Sequence, residues 1–191
     1  DSSIAVLLST LTWSILIENT KGNIRSEFRR RLHEDWNQVT TLIQSEISMS
    51  DLIKSDNIST VSIPDDQCQL LQDSNARLKL RLHLVGTLPE IIYGTRTIGS
   101  LPESEDFQWM GDPDHGVLIR CGPEREISPE GKVQYRQGTY QESIVLDNLD
   151  LSQGDGLEIS PSNNSEKLVK FSLSMNENMD KNQSQTIRTK T

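Results

Sequence analysis

Hydrophobic and polar positions divide the chain into stretches of different periodicity. Residues Ile4 to Ile17 (IAVLLSTLTWSILI) carry no charge, and Ile4, Val6, Leu7, Leu8, Leu11, Trp13, Ile15, Leu16 and Ile17 are apolar nearly all round a helix. From Glu18 to about Ser55 there is no proline, and Ile24, Phe28, Leu32, Trp36, Val39, Ile43 and Ile47 recur at steps of three and four. That spacing draws one apolar stripe along a helix of about 3.6 residues per turn. The charges Arg25, Glu27, Arg29, Arg30, Arg31, Glu34, Asp35 and Glu46 fall mainly off the stripe and predict a solvated face. Glu27 and Arg31, like Arg31 and Asp35, stand four residues apart, where opposite charges meet on a helix. Joined end to end, the two segments predict one helix of about fifty residues, roughly 75 Å long.

Beyond Pro64 the period changes to two. In Ala76 to Val85 (ARLKLRLHLV), Leu78, Leu80, Leu82 and Leu84 alternate with Arg77, Lys79, Arg81 and His83, which predicts a strand with one buried and one wet face. Further strands are expected over Glu90 to Thr97, Gly116 to Cys121, Val133 to Tyr140, Glu142 to Leu149 and Leu168 to Met175. Gly99 to Asp114 has the composition of a long loop anchored by Phe107, Trp109 and Met110. The expected fold class is therefore α+β, with a long N-terminal helix whose stripe packs on an antiparallel sheet. Three segments follow: an apolar projecting helix over 1–23, a head with the rest of the helix over 24–175, and a polar tail over 176–191.

Charge narrows the function. Nineteen Lys and Arg stand against 28 Asp and Glu, a formal net charge of −9, which disfavours nucleic acid as a partner. The three histidines, His33, His83 and His115, form no HExxH or i, i+4 pair, and no GxSxG, P-loop or dinucleotide fingerprint occurs. The run Gly111 to His115 (GDPDH) has the composition of an acidic turn. We expect no enzyme activity, cofactor or metal. The two cysteines, Cys68 and Cys121, lie too far apart for a CxxC metal site; a disulfide and two buried free thiols both remain open.

An apolar stretch, an amphipathic helix, a head of antiparallel strands with two cysteines and a polar tail together resemble the layout of type IV pilins and of type II secretion pseudopilins. Arg29 to Ile53 (RRRLHEDWNQVTTLIQSEISMSDLI), with the later YGTRTIGSLP, VLIRCGP and SIVLDNL runs, is similar to cyanobacterial prepilin-like proteins. The resemblance implies a structural subunit of an extracellular, cell-surface filament. Its N-terminal helix would rest in the inner membrane before assembly and in the filament core afterwards, against copies of itself or other pilin subunits. DNA uptake is among the roles open to such a filament. Export in turn implies that Cys68 and Cys121 pair. The alternative is a single-pass, membrane-anchored extracytoplasmic binding module with a β head.

Overall fold

The computed structural model describes residues 2–55, 67–86, 90–102, 112–152, 154–161, 169–176 and 186–188; for 2–21, 137, 154, 161, 169 and 186–188 it describes the backbone alone. Contacts divide the chain into two compact units, Asp1–Gln38 and Val39–Thr191.

Helix α1 spans Ser2–Ser48. In the first unit its surface carries a ladder of opposite charges, with Glu27 paired to both Arg30 and Arg31, and Arg30 also to Glu34. The fork around Glu27 holds its carboxyl down at about 2, mainly through the hydrogen bonds from Arg30 and Arg31. Exposed pairs of this kind contribute little to stability. Ile24, first of the expected stripe, is half exposed.

In the second unit α1 ends several residues earlier than the absence of proline suggested. The Ser50 hydroxyl donates to the carbonyls of Glu46 and Ile47 at 2.9 and 2.8 Å, giving partners to carbonyls that a helix end leaves without one. The chain then turns directly into a strand. Among the described residues eight strands follow: β1 (Ser50–Lys54), β2 (Arg77–Leu84), β3 (Ile91–Thr97), β4 (Gly116–Ile127), β5 (Val133–Leu149), β6 (Leu157–Pro161), β7 (Val169–Asn176) and β8 (Thr186–Arg188). A four-residue helix α2 (Gln69–Gln72) precedes β2. Every pairing is antiparallel, in the order β1-β2-β3-β4-β5-β7-β6, with β8 beside β7. At the far end of this order β6 returns against β2, so the sheet curls into a half-barrel.

The expected α+β class is thus corrected: the protein is mainly β, since among the residues with described side chains, from Gly22 on, 49% are strand against 30% helix, with α1 the one long helix there. Much of the difference lies in strands that run through apparent breaks. The strand expected over Gly116 to Cys121 continues, as β4, past Gly122 and Pro123 to Ile127. Residues 133–149, expected as two strands, form the single strand β5. Between Pro123↔Tyr140 and Arg125↔Tyr135 the register shifts, and Gly138 within the extra residues has φ +78°. A bulge absorbs such residues, and glycine adopts that backbone without a Cβ penalty. β1, β6 and β8 are additional strands in segments with little alternation.

The leucine alternation in β2 is also broken. Its register shifts between Leu78 and Leu80. Leu80, Leu82 and Leu84 are buried as expected, but Leu78 packs against a separate cluster of Cys68, Leu71, Ile92, Ile98, Val117, Ile119 and Cys121. This cluster lies under α2. Gly94 makes the approach possible, since a Cβ there would stand 2.6 Å from Leu71 Cδ2.

Candidate functional site

The apolar stripe of α1 continues into the second unit through Val39 and Ile43, both buried, and the half-buried Ile47. Ile24, Phe28, Leu32 and Trp36 belong to the first unit. Three residues after Ile43, on the same helical face, stands Glu46. Its expected place on a solvated face is corrected, for it is 0% exposed. A carboxylate taken fully out of water must be matched by donors, and three side chains of the sheet supply them.

Arg120 of β4 is the main partner. Its Nη2 and Nε donate to Glu46 Oε1 at 2.7 and 2.9 Å, and Nε also reaches Oε2 at 3.2 Å. Nη2 further donates to the Pro123 carbonyl at 3.3 Å. The Tyr135 hydroxyl of β5 donates to Oε1 at 3.1 Å, and the Tyr93 hydroxyl of β3 donates to Oε2. Tyr93 and Arg120 are direct cross-strand partners, so their side chains leave the sheet on the same face. Both carboxylate oxygens are therefore engaged, and the pair is electrically neutral.

The electrostatics agree with that assignment. Burial pushes the Tyr93 phenol well above its usual range, and the Glu46 charge pushes it further, so it stays a donor. Tyr135 is raised by the same two causes in the same order. Burial alone would lower the Arg120 guanidinium, but the neighbouring Glu46 carboxylate overrides it and raises it. Chemically this is a fixed ion pair with two phenols as further donors. It latches the last turns of α1 to the middle of the sheet.

A second fastening holds α2. Cys68 and Cys121 form a disulfide with Cα atoms 5.9 Å apart and a sequence separation of 53. The Glu142 carboxylate of β5 accepts from the Leu70 and Leu71 amides at 3.0 and 3.1 Å, covering donors at the start of α2. Burial raises this carboxyl above its ordinary value, against the opposing effect of the two amides.

On the expected wet, basic face of β2, Arg77 is exposed as expected, but Lys79, Arg81 and His83 are half-buried and paired. Glu90 takes Arg81 and, at 2.9 Å, His83 Nδ1; Asp155 takes Lys79 at 2.6 Å. In the acidic turn the Asp112 amide donates to His115 Nδ1 at 3.2 Å. Among the described residues, no three metal-binding side chains cluster, and no helix is long and apolar enough to cross a membrane. The filament-core residues Ile4 to Ile17 lie in α1, but their side chains are outside the described residues, as are Phe107, Trp109 and Met110.

The chain matches no family model, and no curated protein or solved structure matches it.

Two signals in the sequence pointed to the latch. Glu46 sits three positions after Ile43 and seven after Val39, which places it on the stripe as firmly as Ile47. Arg120 is the single charge inside the apolar run GVLIRC. A charge in a strand with so little polar alternation calls for a buried counter-ion.

Proposed function

We propose that this chain is a structural subunit of an extracellular, type IV pilus-like filament, joined to its neighbours through residues 4–17 and presenting the β-rich unit outward. The supporting observation is the Glu46 latch. A subunit held in a polymer by one end of a helix must transmit load from that helix to the rest of the protein, and a buried ion pair with two phenol donors does so at the helix's other end. The sequence supplies the remaining support. A helix apolar nearly all round cannot be satisfied by one small partner surface, so lipid or several copies of itself must surround it. Copies related head to tail without closure give an open fibre. Before assembly the same segment would rest in a membrane.

Electron microscopy of the full chain after detergent removal tests this reading, with residues 24–191 as the comparison. Fibres from the full chain, and dispersed monomers from the shorter one, are expected. A full chain that stays monomeric in bilayers and never enters a fibre overturns the proposal and leaves the anchored binding module.

A further inference from the structure

Where the curl of the sheet brings the start of β2, the end of β3 and the turn before β6 together, there is an open cleft of about 330 Å³. Ser74, Asn75, Arg77, Thr95, Thr97 and Asp155 are among the residues that line it. That volume lies at the lower end of the range for small-molecule sites.

Three features of the lining distinguish it from an ordinary surface groove. Thr95 is 1% exposed, and its Oγ1 is buried without a hydrogen-bond partner in the protein. Trp36 Nε1, Thr40 Oγ1 and His83 Nε2 are also buried without a partner, but of the four only the Thr95 hydroxyl belongs to this lining, where a partner from outside can complete it. Arg77 keeps its side chain 71% exposed, and its contact with Asp155, at 3.5 Å, is too long for a good hydrogen bond. Asp155 is held much closer by Lys79, at 2.6 Å, so its charge is largely answered and the Arg77 donors are left over. Behind them the wall is rigid. Arg96, 5% exposed, is pinned by Ser100 Oγ at 2.8 Å, the Leu70 carbonyl at 3.3 Å and Asp73 at 3.2 Å.

The charges select the ligand. Arg77 and Arg96 line the cleft against Asp155, while Lys79 on Asp155 and Asp73 on Arg96 stand outside the lining, giving a local positive excess on a chain whose net charge is −9. Screening over roughly 8–10 Å keeps that local sign from being swamped by distant acids. Among the described residues none in the lining is aromatic, so they offer a neutral ring no stacking surface. A guanidinium with spare donors beside an unpartnered hydroxyl suits an oxyanion. We infer that this cleft binds the anionic end group, carboxylate or phosphate, of a small organic molecule. The inference is independent of whether the chain polymerises.

The test is a titration of the full chain in non-ionic detergent, followed by amide chemical shifts, with inorganic phosphate and with acetate as separate probes. Sodium chloride at matched ionic strength is the control. Saturable shifts confined to residues 74–77 and 95–97, with a dissociation constant of the order of 1 mM for at least one probe, are expected. Phosphate alone or acetate alone would name the end group, and both would support an undiscriminating oxyanion site. Arg77→Gln and Thr95→Val should each weaken binding about tenfold. Thr95→Val breaks no bond within the protein, so its melting temperature should hold or rise, separating loss of a ligand from loss of structure. The inference is overturned if neither probe saturates, or if Thr95→Val binds as well as the native chain.

Discussion

The carboxylate of Glu46, at the end of α1, and the guanidinium of Arg120, in β4, meet at 2.7 Å across 74 residues of sequence. Neither is more than a few per cent exposed. Removing one partner leaves the other charged, buried and without its match, so Arg120→Met should destabilise by about 3–5 kcal/mol. The double variant Glu46→Leu/Arg120→Met removes both charges and should recover part of that loss, the rest being held back by the buried Tyr93 hydroxyl, which loses its acceptor. Urea unfolding of the single and double variants measures both. A single-variant loss under about 1 kcal/mol would mean the pair is solvated.

Closing a loop of 53 residues by the Cys68–Cys121 disulfide should stabilise the fold by roughly 4 kcal/mol on the chain-entropy account. The double alanine variant should unfold at correspondingly lower urea. Thiol labelling of the unfolded, unreduced native chain should find no reactive cysteine; two labelled thiols would contradict the bridge.

Glu142 gives a signed pH dependence. Burial raises its carboxyl above the ordinary value despite the Leu70 and Leu71 amides. A folded pKa above the unfolded one means a contribution fully present below the unfolded pKa and lost as pH rises through the folded one. Glu142→Gln does not ionise, so its stability relative to the native chain should improve between about pH 4 and pH 7. Urea midpoints of both proteins at the two pH values check the sign. A difference that stays flat or moves the other way rejects it.

Gly94 is where α2 comes closest to the sheet. A Cβ there would lie 2.6 Å from Leu71 Cδ2 and 3.0 Å from the Arg77 carbonyl oxygen. Gly94→Ala should therefore cost about 1–3 kcal/mol by overpacking. Leu71→Ala opens space at the same point, so the double variant should cost less than the two single losses added together. Additive losses in thermal unfolding would show that the contact is not the cause.

The parts of the fold legible in the sequence are those where one local period persists. The stripe Val39 and Ile43, and the alternation of Leu80, Leu82 and Leu84, are buried as their spacing demands. β1, β6 and β8 were not legible, because three to five residues carry too little alternation to signal a strand and owe their pairing to a neighbour. β5 was legible as two strands, Val133 to Tyr140 and Glu142 to Leu149; only their continuity through the bulge that holds Gly138 was not.

By itself, then, the sequence determined a helix with an apolar start and a single stripe, a β region after Pro64, and two cysteines able to pair. Tertiary structure decided that the sheet dominates, that Leu78 serves a different cluster from its fellow leucines, and that Glu46 is interior. The reason is that periodicity records only how a side chain points relative to its own backbone. Whether a charge can be buried depends on which donors the strand register brings opposite it. Tyr93, Arg120 and Tyr135 reach Glu46 from three different strands, and only the paired sheet brings them together.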